Sequence, residues 1–426
     1  MEVLFLGGAS EQGRSCIVVS TKDAKVMVDC GVKREFGEGF TGRYPQFDLV
    51  DLNSLDAVLV SHAHEDHCAA LPLLRRMGVK APVYAHPVTV EEAKKYCLLW
   101  LGTVQSRGVE PPYSEEDIVG MRITPLGLTG ELRVGGLIVR YGDNGHMPGS
   151  LWFSFREESY DGSGVQVLYT GDWTTESRLL KSPEFPAKVQ CVVTDAAYGA
   201  ALISQDAFLD GIHHLAITVR QRGGFLLLPL PRLGRSQEIM LYLASRLPRE
   251  VPLYVESSIV AGLGFYRDHL EIVSAEGLKD LQDFDKGRIE ILNDSFSPQK
   301  VAPGVILAAD GMASNGKSRQ IAQILAERGD SCIVFSGHVA RGTFGDLLLT
   351  RGIPSQALVK AEKWKVHPDI GEIRATLQQI AGPGSQVALV HADHQEAVAA
   401  AKILAEDGYK AIVPKIGDRI TVSTAV

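Results

Sequence analysis

The residues of this chain best suited to chemistry stand in one short string, SHAHEDHCAA, residues 61–70. It places His62, His64, Asp66 and His67 within six positions, in a chain with twelve histidines among 426 residues. On an extended segment, side chains two apart point to one side, so His62 and His64 share a face. Asp66 and His67 then enter from a second direction, at the start of the helix that CAALPLLRRMG predicts. Imidazole and carboxylate are the ligands zinc prefers. Blander origins explain less. A histidine-rich tract would not lie between the apolar run DAVLV and an apolar helix pattern, and a helix N-cap accounts for Asp66 alone. A metal site accounts for all four.

A two-metal centre needs more donors, and the chain offers them at strand ends, where loops present function. His146 lies in DNGHMPGS between two strand patterns, and Asp172 follows one in LYTGDWTTE. Asp29 ends VMVDCG, Asp195 ends VVTDAAYG and His391 ends VALVHADHQEA. Taken singly, an aspartate at a strand end reads as a turn or cap residue, and a lone histidine as a surface or satisfied core residue. Five of them, each behind an apolar strand run, read as one constellation.

The elements that must position these residues change character along the chain. Up to about residue 195, short β-type runs such as EVLFLG, SCIVVS, AKVMVDCG, LDAVLVSH, SLWFSF and VQVLYTGD predict a sheet-dominated layer. Helices are predicted at 68–77 and over VTVEEAKKYCLLWLGTV. After residue 200, helices (ISQDAFLDGIHHLAITVRQRGG, RSQEIMLYLASRL, SRQIAQILAERG) alternate with strands (FLLLPL, VPLYVES, GVILAAD, SCIVFSG), which implies βαβ units around a parallel sheet. The last stretch returns to a strand and helix pair. The expected domains are 1–200, an inserted domain 201–363, and a return segment 364–426.

A hydrophobic fraction of 45% and a charged fraction of 22% are ordinary for a soluble globular protein. No apolar run is long enough to span a bilayer, and MEVLFLGGASEQGRS has neither a basic n-region nor a signal-length apolar stretch. The expectation is a cytoplasmic enzyme with no membrane partner. Cys16, Cys30, Cys68, Cys97, Cys191 and Cys332 lack CxxC spacing and read as buried thiols. A net charge of −8 argues against coating nucleic acid with basic surface, but leaves room for a locally basic cleft that grips a short strand.

HAHEDH matches the HxHxDH motif of metallo-β-lactamase-fold hydrolases, and MVDCG, GHMPGS and YTGDW resemble further motifs of that superfamily in the same order. Beyond residue 195 the chain is similar to the β-CASP branch, nucleases that include bacterial ribonuclease J and the pre-mRNA cleavage and polyadenylation endonuclease. VVTDAAYG resembles its acidic motif A, and LLLPLPRLGRSQEI its strand and helix near the cleft. VILAADGMASNG and FSGHVARGTFG resemble two glycine-rich loops, WKVHPD motif B, and LVHADHQEA motif C. Motif B here has lysine and valine before the histidine and Pro-Asp after it, where the family has serine or alanine and then Ala-Asp.

The resemblance implies an α/β fold, a metallo-β-lactamase αββα sandwich with an inserted β-CASP domain of parallel βαβ type. It implies two zinc ions, one held by His62, His64 and His146 and the other by Asp66, His67 and His391, with Asp172 bridging. Asp29 would support the ligand histidines from behind. The implied activity is a metal-dependent ribonuclease, endo or exo, cutting single-stranded RNA with a water activated between two metals. His367 would be the general acid, held by Asp195. A histidine at motif C, here His391, goes with RNA-acting members. Arg232, Arg235, Ser336, His338 and Arg341 are the substrate-contact candidates. Homodimerisation is left open. The rivals are a small-molecule hydrolase of lactonase or thioesterase type on the same fold and a catalytically silent β-CASP scaffold. A lactonase would not need the inserted domain with Asp195 and His367, and silent members generally lose ligands that this chain keeps.

Overall fold

The computed structural model describes residues 1–33, 43–157, 164–293, 295–337, 339 and 341–423. They form two units. The first comprises Met1–Thr175, Lys181–Ile203 and Val366–Val426; the second comprises Glu176–Leu180 and Ser204–Lys365.

The first unit is built on two seven-stranded sheets. One runs in the order 419–421, 2–7, 16–20, 25–28, 57–59, 83–85, 123–125, the other 410–412, 381–390, 189–195, 166–169, 151–157, 137–143, 130–134. The strand runs are apolar at nearly every position because both faces are covered, and the period of two sorts their side chains. Val3, Phe5, Ile17, Val19, Val26 and Val28 meet Val139, Phe153, Phe155, Val167 and Val193 in a core between the sheets. Leu4, Leu6, Val18, Met27 and Val58 face the other way, against Ala93, Cys97, Trp100, Leu101 and Val104 of the helix Pro87–Ser106. Leu168, Val192, Val387 and Leu389 likewise pack on the helices Ile370–Ile380 and His394–Glu406. The layers are helix, sheet, sheet, helix, the αββα sandwich expected.

Strand direction decides where the chemistry gathers. Leu137–Asp143 and Gln166–Tyr169 are both antiparallel to Leu151–Glu157 and so run the same way. Val189–Asp195 and Ala381–Val390 run parallel to them. The C-terminal ends of all four strands therefore lie on one edge of that sheet, and they carry His146, Asp172, Asp195 and His391. In the first sheet, Lys25–Val28 and Ala57–Leu59 are parallel and lead into Asp29 and His62.

The second unit is a six-stranded sheet in the order 290–292, 253–256, 305–309, 226–230, 332–335, 358–361, parallel throughout, with helices between strands. This is the βαβ architecture the alternating pattern predicts. Five elements there were not legible: the helices Ser257–Asp268, Ala275–Asp283 and Phe344–Leu349 and the strands Glu290–Leu292 and Leu358–Ala361. Glycines interrupt the first two helices, the third is six residues long, and both strands are mostly exposed. The short strap Glu176–Leu180 also belongs to this unit. Ser177 Oγ and Arg178 N donate to the buried carboxylate of Glu238 at 2.7 and 2.8 Å, and Ser274 N donates to Leu179 O.

Residues 311–318 of the second unit read GMASNGKS between a strand and a helix, the GxxxxGKS spacing of phosphate-cradling loops. The loop is already filled from within. The Asp310 carboxylate accepts the amides of Met312, Ser314 and Asn315 at 3.1, 2.8 and 2.9 Å, and Lys317 Nζ donates to Leu292 O. The six cysteines are buried free thiols. Among the described residues, no helix is long and apolar enough to cross a membrane.

Candidate metal centre

All ten residues expected at the centre, the seven ligands with Asp29, Asp195 and His367, lie in the first unit. His62, His64, His146 and Asp172 form one converging group, and Asp66, His67 and His391 form a second; within each, one ligand atom per residue lies within 4.8 Å of the others. His64 Nδ1 is 3.1 Å from both His62 Nε2 and His146 Nε2. Asp172 Oδ2 lies 3.7 and 3.8 Å from the same two nitrogens. On the other side, Asp172 Oδ1 is 3.4 Å from His67 Nε2, and Oδ2 is 3.7 Å from His391 Nε2. Asp66 Oδ2 stands 4.0 Å from His67 Nε2 and 3.8 Å from His391 Nε2. Tetrahedral ligands about 2.0–2.1 Å from a zinc ion are roughly 3.3 Å apart, so both groups have the spacing of a cation's ligands, and Asp172 touches both.

The outer nitrogens settle which lone pairs face inward. His146 Nδ1 meets the carbonyl of Val366 at 2.6 Å. A carbonyl only accepts, so Nδ1 carries the proton and Nε2 presents its lone pair. His67 Nδ1 meets Asp29 Oδ2 at 2.8 Å, and the same reasoning turns its Nε2 inward. Asp29 is fully buried and also accepts Ser61 N at 2.7 Å, Ser61 Oγ at 2.8 Å and Tyr169 OH at 2.7 Å. It thus anchors the HAHEDH loop to the second sheet, a role broader than the one the resemblance implies.

Burial and mutual repulsion keep His62 and His146 well below the ordinary histidine range and lower His64 to about 4. Their nitrogens are neutral and free to ligate. His67 goes the other way: burial would lower it, but Asp172 and Asp29 raise it well above the usual value. Burial would raise Asp172, yet His391 and His67 hold it well below the carboxylate range. A buried carboxylate so placed demands positive charge, and the donors around it are those that hold a divalent cation.

His367 Nδ1 sits 2.6 Å from Asp195 Oδ2 and 3.8 Å from Asp172 Oδ2, with its side chain 17% exposed. Burial lowers its pKa, but Asp195, with help from Asp172, raises it to about 9. Asp195 is itself fixed by the amide of Ala197 at 2.8 Å. The short contact with Asp195 favours the protonated ring, the state a proton donor needs.

Two residues of the centre hold strained backbone. Asp29 has φ +60° and His391 φ +56°, in the left-handed region that ordinary side chains avoid at a cost of about 1–3 kcal/mol. Each position keeps its side chain, where glycine would relieve the strain.

Several contributors carry no signature that sequence reasoning could use. Ser15 Oγ lies 3.3 Å from His67 Nε2 and 3.5 Å from His391 Nδ1. Asn144 accepts His146 N and donates to Thr170 O, joining two ligand loops. Glu372 closes a capping box with Asp369 and accepts Thr175 N at 2.7 Å, tying the helix after His367 to the loop after Asp172. His86, also at a strand end, accepts Val88 N to cap its helix. Of the substrate-contact candidates, Arg232, Arg235, Ser336 and Arg341 belong to the second unit. Arg232 and Arg341 are exposed, Ser336 is buried, and the Arg235 guanidinium lies against Gly337. His338 lies outside the described residues.

Residues 10–181 match the metallo-β-lactamase superfamily and residues 236–348 the Beta-Casp domain. The chain is 32% identical over 371 residues to transcription termination factor FttA of Methanosarcina mazei, covering 81% of this chain and 57% of that protein. It is 30% identical over 371 residues to endoribonuclease ysh1 of Schizosaccharomyces pombe, covering 80% and 46%. The chain thus spans about half the length of these relatives. A crystal structure of a protein of unknown function from Enterococcus faecalis aligns over 98% of this chain and 99% of its own, at a TM-score of 0.56 and 15% identity, a likeness of fold alone. With both domains matched in sequence, and a metal-type cluster at the strand ends where the first domain's motifs fall, the chain belongs to the β-CASP branch of the metallo-β-lactamase superfamily.

Proposed function

We propose that this chain is a zinc-dependent ribonuclease that hydrolyses phosphodiester bonds of single-stranded RNA in the cytoplasm. The observation that carries the reading is the placing of the hydrogen-bonded His367–Asp195 pair beside seven converging metal-type donors. The donor set, five imidazoles and two carboxylates, suits zinc better than magnesium or calcium. His62, His64 and His146 would hold one ion, Asp66, His67 and His391 the other, and Asp172 both. Bound there, the ions would supply Lewis-acid stabilisation of phosphoryl charge and a water of lowered pKa.

The chain's own groups do the rest. Val366 O and Asp29 fix the ligand tautomers of His146 and His67. Asp195 orients His367 and keeps its proton available for the departing ribose oxygen. Protonating an alkoxide leaving group is worth about 10²–10⁴ in rate. The endoribonuclease named among the relatives supports RNA as substrate, and so does the histidine at position 391.

The test is incubation of purified protein with 5′-labelled single-stranded RNA, matched DNA and an RNA duplex, with and without chelator and added zinc. Cleavage of the single-stranded RNA that chelator stops and zinc restores is expected. No cleavage of any nucleic acid, or turnover of a lactone or thioester instead, overturns the proposal.

A further inference from the structure

We propose that Tyr198 is the positioning residue that sets His367 against the ligand His146. The inference rests on the ribonuclease reading and deepens it. The Tyr198 hydroxyl accepts the amide of Val366 at 3.2 Å. The carbonyl of that same residue accepts His146 Nδ1–H at 2.6 Å. Val366 is thus held at both its polar groups, by a tyrosine on one side and a metal-type ligand on the other. The next residue is His367, and the Tyr198 ring stands edge-on to its imidazole, 5.5 Å between centroids at 89°.

Asp195 ends the strand Val189–Asp195 and Tyr198 lies in the turn that follows it. The first fixes the His367 ring through Nδ1, and the second fixes the backbone from which that ring extends. A ring held only at Nδ1 could still swing with its backbone. A second point of attachment removes that freedom, and a misplacement of about 1 Å in a reacting group costs on the order of 10² in rate. In this reading Tyr198 acts through His367.

The variant Tyr198→Phe deletes one oxygen and keeps the ring. On RNA, whose leaving group is an alkoxide that needs a proton, kcat should fall about ten- to hundredfold with KM unchanged. On bis-p-nitrophenyl phosphate, whose phenolate leaves without a proton, the zinc-loaded variant should match wild type within about twofold. Equal losses on both substrates, or no loss on RNA, overturn the proposal. A second measurement stands apart from activity. Hydrogen exchange of the 364–370 segment should quicken in Tyr198→Phe at unchanged zinc content, and unchanged protection overturns the proposal as well. A wild-type protein inert towards RNA would instead sink the ribonuclease reading, leaving the exchange measurement to decide the role of Tyr198.

Discussion

His367 and Asp195, 172 residues apart in sequence, share a 2.6 Å contact between Nδ1 and Oδ2. Neither His367→Ala nor Asp195→Asn removes a donor from either converging group. Both should therefore keep the wild-type zinc content by elemental analysis while RNA turnover falls about 10²–10⁴-fold. Loss of metal in either variant would contradict the role assigned.

The two converging groups should fail separately. His146→Ala should cost one equivalent of zinc and leave the site of Asp66, His67 and His391 filled, and His391→Ala should do the converse. Asp172→Asn touches both groups and should weaken both. Because ligands that bind only the folded state stabilise it by mass action, chelator should lower the melting temperature of wild type, and more than that of either alanine variant. Equal zinc content in all four proteins would refute the assignment.

Asp29 is a stability residue as much as a supporting one. Its carboxylate accepts four donors with no exposure to water, so Asp29→Ala would leave buried donors without an acceptor. A cost of about 3–5 kcal/mol is expected, read from urea unfolding. A cost below about 1 kcal/mol would show that water replaces the carboxylate.

Glu238 gives stability a pH dependence. Burial raises its carboxyl from 4.5 to about 7, against the hydrogen bonds from Ser177 and Arg178 that lower it. The folded value lies above the unfolded one, so its contribution is complete below pH 4.5 and is lost as pH rises through 7. Glu238→Gln can still accept from Arg178 N and donate to Ser177 Oγ, and it does not ionise. Relative to wild type it should gain about 2–3 kcal/mol between pH 5 and pH 8, at about 1.4 kcal/mol per pKa unit. Parallel stability curves for the two proteins would contradict this.

The GMASNGKS loop should not bind nucleotide. The Asp310 carboxylate occupies the amides that a phosphate would need, so millimolar ATP with magnesium should leave the melting temperature unchanged. A clear upward shift, abolished in Lys317→Ala, would show that Asp310 yields to phosphate.

The first unit was legible because its chemistry follows a simple rule: each donor comes directly behind an apolar strand run, and parallel strand direction brings those ends to one edge. His146, Asp172, Asp195 and His391 obey it in the second sheet, and Asp29 stands in the same way behind a strand of the first. What escaped the sequence has no side-chain signature. The acceptor that fixes the His146 tautomer is a backbone carbonyl, which any residue at position 366 would supply. Ser15 and Asn144 are of types found in every loop. The strap Glu176–Leu180 escaped for a different reason, since its place is set by Glu238, some sixty residues later, and not by its own five residues.

The late arrival of His391 has a consequence for biosynthesis. The donors of the other group, His62, His64, His146 and Asp172, are all translated by residue 172, while the imidazole of His391 emerges only after the whole intervening domain has been made. A growing polypeptide, still close to messenger and ribosomal RNA, therefore carries an unfinished centre until the segment that holds His391 leaves the exit tunnel.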